Sequence, residues 1–185
     1  MSHSQDHHAV LEHWMAEEAA VRTRLRGEPG VARPEQLAGK TGLQQMQAML
    51  DGDAPPPPIA LTLDFMLISV AAGRAVFQGR PQQRHYNPLG TVHGGWFATL
   101  LDSALGCAVH TTLEPGRGYT TLEFKVNLVR ALTDKVPLVR AIGEVTHAGR
   151  QVATSEAKLI GHDGKLYAHA STTCLVFDLP SSKRS

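Results

Sequence analysis

Apolar and polar positions change rhythm twice along this chain. The N-terminal part follows a helical period. From Val10 to Arg26, Val10, Trp14, Val21 and Leu25 fall mostly at helical spacings. Glu12, Glu17 and Glu18 lie toward the start of that stretch and Arg22, Arg24 and Arg26 at its end, an order that suits the helix dipole. Gly27, Pro29 and Gly30 break it. Leu43, Met46, Gln47 and Leu50, at i, i+3, i+4 and i+7, predict a second short helix that ends at Asp51-Gly52-Asp53. Pro55 to Pro58 read as a stiff extended spacer.

Beyond the prolines the period shortens. Leu61 to Val70 and Arg74 to Arg80 read as strands split by Ala72-Gly73, and Gly79 to Gly90 as a loop carrying Pro81 and Pro88. Gly95 to Thr111 is the one long apolar helix. Its apolar face (Trp96, Phe97, Leu100, Leu101, Ala104, Leu105, Ala108) is wide enough to predict burial on most sides. Strands then follow one another. Thr120 to Ala131 contains the alternation Leu122, Phe124, Val126, Leu128, and Pro137 to Thr146, Gln151 to Gly161 and Lys165 to Phe177 come after it. The breaks at Thr133-Asp134, Ala148-Gly149 and His162-Asp163-Gly164 are short, which implies antiparallel neighbours. The expected class is α+β: a long central helix wrapped by a curved antiparallel sheet of five or six strands. Residues 1-57 are expected to form a helical extension ending in the proline spacer, and residues 58-180 a single domain.

Composition narrows the function. A chain of 185 residues is one domain with a small appendage. Eighteen Lys and Arg against 17 Asp and Glu leave +1, so there is no general electrostatic case for nucleic acid or an anionic membrane. No apolar run reaches the ~20 residues that span a bilayer. The start MSHSQDHHAV lacks a basic region followed by an apolar one, so it is no secretory signal. Cys107 and Cys174, among apolar neighbours, fit reduced thiols. Together these predict a cytoplasmic protein. His3, His7, His8 and His13 cluster near the start, the first three in an expected disordered tail, but no Cys/His pair has structural-zinc spacing and no metal is expected.

The chemistry concentrates in Asn87-Pro88-Leu89-Gly90-Thr91-Val92-His93-Gly94-Gly95, followed by Asp102. Two glycines entering a helix allow close backbone approach and leave N–H groups pointing outward, where the helix dipole adds positive charge. Such a place can polarise a carbonyl and hold an oxyanion, or be only a turn. Asp102 lies inside the most apolar helix, too far in to be an N-cap. It is either a general base strengthened by desolvation, a structural aspartate bonded to Ser103 or Thr99, or a group facing water. It follows Gly94 by eight residues, about 12 Å along a helix. Both can serve one reaction centre only if two subunits of a twofold dimer contribute them.

Asn87, His93-Gly94-Gly95 and Asp102, followed by Thr120-Thr121-Leu122-Glu123, the Gly149-Arg150 turn and Tyr167-Ala168-His169-Ala170, resemble the hotdog-fold acyl-CoA thioesterases of the phenylacetic-acid-degradation (PaaI-like) type over about residues 59-177. The resemblance implies a helix inside a curved sheet, a homodimer joined edge to edge with shared sites, and pairing of dimers into a homotetramer. It implies that Gly94 N–H holds the thioester oxygen and that Asp102 of the partner acts as general base or nucleophile. Asn87 would sit opposite that Asp, and Thr120 would position water and carboxylate. His93 would orient the loop or the leaving sulfur, with a purely structural role as its competitor. Gly95 and Thr121 would touch the substrate. Arg130, His147 and Arg150 would meet the pantetheine and phosphates of coenzyme A, each competing with the reading of an exposed basic side chain. Coenzyme A enters only as part of the substrate, and no cofactor is implied.

The expected activity is therefore hydrolysis of a short-chain or aryl acyl-CoA, Trp96 and Phe97 beside the glycines favouring short or aromatic groups. The alternative is a non-catalytic acyl-CoA-binding module on the same fold. A serine hydrolase is disfavoured because no Gly-x-Ser-x-Gly elbow occurs. Cys107 has no evident base beside it. The Asp-x4-His dyad of hotdog hydratases would need histidine where this chain has Cys107.

Overall fold

The computed structural model describes residues 2–180. Four helices come first: α1 (Ser2–Arg24), α2 (Pro34–Leu37), α3 (Gly42–Asp51) and α4 (Pro58–Leu63). Helix α1 starts at Ser2, so His3, His7 and His8 are helical rather than part of a disordered tail. Side-chain contacts one turn apart, His8–Glu12 at 3.1 Å and His13–Glu17 at 3.2 Å, lie along this stretch. Thr41 caps α3 reciprocally with Gln44, and Gly52 ends it in the left-handed region. The proline run is extended only as far as Pro57, because Pro58 takes the first helical position of α4, where its missing N–H costs nothing. Leu61 therefore belongs to a helix, and the first strand begins four residues later than the apolar run suggests.

The six strands are β1 (Phe65–Ala71), β2 (Arg74–Gly79), β3 (Arg117–Leu128), β4 (Val139–Ala148), β5 (Val152–Gly161) and β6 (Leu166–Asp178). They form one antiparallel sheet in the order β1-β2-β4-β5-β6-β3. Helix α5 (Gly94–His110) lies in its concave side. Leu100, Leu101, Ala104, Leu105 and Ala108 are wholly buried against inward strand positions such as Ala141, Ala157 and Leu159. Two glycines set the helix-to-sheet distance. A Cβ on Gly143 would lie 2.2 Å from the Ala104 carbonyl oxygen, and one on Gly79 would strike Leu100 and Trp96. Ser155, buried on β5, donates a 3.0 Å hydrogen bond to the Leu105 carbonyl and pins the helix in that trough.

Helix α1 packs on sheet residues that alternate with those facing α5. Its Glu18 is buried and accepts hydrogen bonds from Gln78 (2.7 Å), Arg22 (2.9 Å) and Arg80 (3.1 Å). Arg140, also buried, donates to Gln78 (2.8 Å) and Glu17 (2.7 Å) and lies 4.4 Å from the Trp14 ring. Burial alone would raise the Glu18 carboxyl, but the hydrogen bonds of Arg22 and Gln78 and the charge of Arg80 outweigh it and hold it below its ordinary value. A lowered carboxyl stabilises the fold above its unfolded pKa, and that stabilisation is lost as pH falls through the folded value. Glu18→Ala is expected to cost about 2 kcal/mol at pH 7, because three donors lose a shared acceptor. In denaturant titrations the gap between wild type and variant should close on acidification, and a gap independent of pH would contradict this account.

Candidate active site

The approach to α5 is built by its own loop. Asn87 Oδ1 accepts from the Leu89 and Thr91 amides (2.9 and 3.3 Å), and Nδ2 donates to Thr91 Oγ1 (3.1 Å). The Val92 amide donates to Leu132 and the His93 amide to His85, which anchors the loop beside the core. His93 is the N-cap, and its Nδ1 accepts from the Gly95 amide at 2.9 Å. A neutral His93 therefore carries its proton on Nε2. The Trp96 amide donates to the His93 carbonyl, so among the described residues the Gly94 N–H is left with no acceptor. A Cβ at Gly94 would sit 3.0 Å from Leu128 Cδ1, which places this amide beside the end of β3.

The positions of α5 that the sheet leaves partly open include Ala98, Thr99, Asp102, Ser103, Cys107 and His110. Thr99 and Ser103 give their hydroxyls to the helix's own carbonyls, at 2.9 and 2.8 Å, so neither is the partner of Asp102. Among the described residues the one donor that reaches it is Thr121 Oγ1, at a long 3.5 Å. Burial pushes the Asp102 carboxyl above its ordinary value, and the Thr121 hydroxyl opposes this only in part. Burial and the nearby Asp102 push the Cys107 thiol up to about 12, so it stays protonated and is no nucleophile.

Thr120 does not approach Asp102. It is exposed, and a strand turns alternate residues to opposite faces. The alternation Leu122, Phe124, Val126, Leu128 projects back onto Thr120, but the register with β6 shifts between Thr121 and Glu123. That bulge at Leu122 reverses the phase and turns Tyr119 and Thr121 toward the helix. Asn87 spends its amide within its own loop, and Gly94 and Asp102 remain eight residues apart on one helix. A single chain does not bring Asn87, Gly94 and Asp102 to one point.

The basic residues separate. His147 and Arg150 line an open groove of about 870 Å³ with Arg117, Gly149 and Phe177. Arg130 is elsewhere, its Nε donating to the Leu166 carbonyl at 3.4 Å. Arg117 was not singled out from the sequence. It pairs with Asp178 at 2.9 Å and donates to the Arg150 carbonyl, contacts that exist only once β3 and β6 are paired. Among the described residues no cluster of three His, Cys, Asp or Glu could hold a metal ion, and no helix is long and apolar enough to cross a membrane.

Residues 89–168 match the Thioesterase superfamily. A phenylacetic acid degradation-related protein of Ralstonia eutropha JMP134 is 32% identical, with a TM-score of 0.64 over 70% of this chain and 98% of that one. A mutant of the phenylacetic acid degradation protein PaaI from Thermus thermophilus is 28% identical, with a TM-score of 0.58 over 64% and 97%. The 1,4-dihydroxy-2-naphthoyl-CoA hydrolase of Listeria monocytogenes serotype 1/2a (strain 10403S) is 27% identical over 115 residues, 62% of this chain and 92% of that protein. With the sheet, the buried helix and the free amide at its start, these likenesses place the chain in the thioesterase superfamily as a hotdog-fold thioester hydrolase of the PaaI-like kind.

A raised carboxyl pKa has a sign for stability. The folded state holds its Asp102 proton more tightly than the unfolded chain, so stability falls as pH rises from the ordinary value of 3.8 through the raised one. Asp102→Asn removes a half-buried charge and should unfold at a higher denaturant concentration than wild type at pH 7. The gain should shrink as pH falls through the raised value toward 3.8, and a variant less stable than wild type at pH 7 would refute the assignment of a desolvated carboxylate without an ion pair.

Proposed function

We propose that the protein hydrolyses short-chain or aryl acyl-CoA thioesters to the free acid and coenzyme A, at sites shared by two subunits of a homodimer. The observation that carries the reading is Asp102: a carboxylate on the open stripe of an apolar helix, with no ion pair and a single long hydrogen bond among the described residues. The Listeria relative is a hydrolase of a naphthoyl-CoA, which supports an aryl acyl group.

The dimer follows from the edge of the sheet. Strand β3 is a terminal strand whose Leu122, Phe124 and Leu128 are 59%, 40% and 53% exposed. A long apolar edge is a template for another strand. Gly94 lies beside Leu128, and Asp102 beside Thr121. An antiparallel twofold ladder that sets Leu128 of one copy against Thr121 of the other would carry the first copy's Gly94 to the second copy's Asp102. Its axis would pass near Phe124 and Lys125.

At such a site the Gly94 amide holds the thioester oxygen. Asp102 takes a proton from water as the water oxygen bonds to the carbonyl carbon, and the charge that develops on the thioester oxygen rests on that amide and the helix start. When the C–S bond breaks, the proton held by Asp102 goes to the departing thiolate. The alternative route, direct attack by Asp102, needs the same two groups. Thr121 orients the carboxylate, His93 fixes the helix start and carries its proton on the outward nitrogen, and Asn87 shapes the loop that holds both glycines.

Free thiol should appear when the protein meets acetyl-, hexanoyl-, benzoyl- or phenylacetyl-CoA, and Asp102→Asn should lower turnover by about 10²–10⁴-fold. Binding without thiol release across that panel would favour the non-catalytic module. Thr121→Val should lower kcat about fivefold, the worth of one hydrogen bond near 1 kcal/mol. It should also move the acid limb of the pH profile upward, because the hydroxyl that lowers the Asp102 pKa is gone. Thr120→Val should change neither.

Gly94→Pro tests the sharing. Proline suits the first helical position, and the preceding His93 is already extended (φ −62°, ψ 138°), so the substitution deletes the amide and keeps the helix start. Gly94→Pro and Asp102→Asn should each be inactive, and refolding them together in equal amounts should restore about one quarter of wild-type activity, since half the dimers then hold one intact site. No recovery from the refolded mixture would rule out the shared site.

A further inference from the structure

We propose that the cavity between the N-terminal helices and β1 is a second binding site, for a small uncharged apolar molecule such as an aromatic ring or a short branched alkyl group. The cavity holds about 180 Å³. Its walls include Val21 of α1, Met49 and Leu50 of α3, Ala60 of α4, and Phe65 and Phe77 of the sheet. An apolar cavity of about 150 Å³ in a protein core stays dry and takes up benzene, so this volume suits a ring with a small substituent.

Three features separate the cavity from a packing fault that would close by relaxation. Helix α1 is fastened to the sheet through Glu18 and Arg140. Helix α3 is capped at both ends. Pro56 and Pro57, with φ fixed by their rings, form part of the wall. The cavity therefore has stiff sides. It reaches solvent beside the exposed Arg22, Gly27 and Leu61.

The rim selects against charge. Arg22 and Asp64 are the charged lining residues, and they face each other at 3.9 Å. Arg22 is also held by Glu18 at 2.8 Å. Asp64 also faces Arg84 at 3.5 Å and accepts from the Gln82 amide. No charge at the rim is left for a carboxylate, a phosphate or an ammonium group to pair with, so the acid and the coenzyme released at the reaction centre are both unsuited to it. The cavity also shares no lining residue with that centre. Its strand is β1, at one edge of the sheet, and the Thr121 that touches Asp102 is on β3, at the other.

Toluene is the probe, added to the full chain. The expected result is a saturable rise in Tm, with the methyl resonances of Met49 and Met66, both in the wall, moving in the same titration and that of the half-exposed Met15 staying still. Ala60→Leu fills the cavity, and Leu61→Trp, at a position 67% exposed, covers its mouth without touching the core. Either should abolish both responses and leave thiol release from acyl-CoA unchanged. If Ala60→Leu fails to fold, Leu61→Trp decides alone. The absence of a saturable response, its survival in Leu61→Trp, or displacement of toluene by coenzyme A would each overturn the proposal. So would a rise in molecular mass on adding toluene, because the cavity would then be a contact between copies of the chain.

Discussion

The sheet can close around α5 on all sides but one, and that limit shapes the rest of the molecule. The helix backbone lies against β2 and β4 only because Gly79 and Gly143 have no side chains to hold it off. Drawn that deep, its leucines are wholly buried, and the curved sheet runs out at β3 before it reaches the stripe of Ala98, Asp102, Ser103 and Cys107. A carboxylate in this helix is tolerable only on that stripe. Asp102 and the unfinished edge of the sheet fall together for one reason: both lie where the wrapping stops.

Two helical carboxylates show how environment separates structure from chemistry. Glu18 and Asp102 both leave water on folding. Glu18 meets a glutamine and two arginines and is held below its ordinary pKa. It then serves as a fixed acceptor that fastens α1 to the sheet. Asp102 meets one distant hydroxyl, and burial wins, so its pKa rises. A raised carboxylate is a stronger base, and the cost of keeping it charged is the reason its removal is expected to stabilise the fold. Another donor within reach of Asp102 would settle the carboxylate and weaken it as a base.

The periodic parts of the fold were legible from the sequence because one turn of helix or one strand carries its own pattern. The central helix, the three long C-terminal strands and the antiparallel pairing of β4 with β5 and of β5 with β6 follow from spacing and short turns, but the short break at Thr133-Asp134 joins strands that are not neighbours, because β3 crosses to pair with β6. What failed to show has physical causes. The apolar run from Leu61 hides a helix-to-strand junction at Asp64, because a short buried helix and a buried strand look alike. The resemblance assigns Thr120 to the carboxylate, but Thr121 is the residue that reaches Asp102, because a one-residue bulge inverts strand phase and leaves no mark in the alternation. Glu18, Gln78 and Arg140 gave no signal, since the partners that join them across elements lie sixty or more residues away and each looks like a surface residue on its own element.

The N-terminal helices have a consequence for assembly that follows from the sheet order. An open sheet has two edges, and a chain with two sticky edges grows into a fibre rather than closing into a pair. Here α3 and α4 pack against β1, while α1 occupies the outward side of β2 and β4. The apolar edge left open is β3, the strand beside Asp102. The extension thus leaves β3 as the edge open to strand pairing, where the proposed dimer forms, and a twofold contact there would use up the edge on both copies. If α3 were lost, β1 would become a second exposed edge whose Phe65 and Leu67, now 5% exposed, would face water. On this account the N-terminal helices would confine association to the proposed pairing, the one that brings Gly94 of one copy to Asp102 of the other.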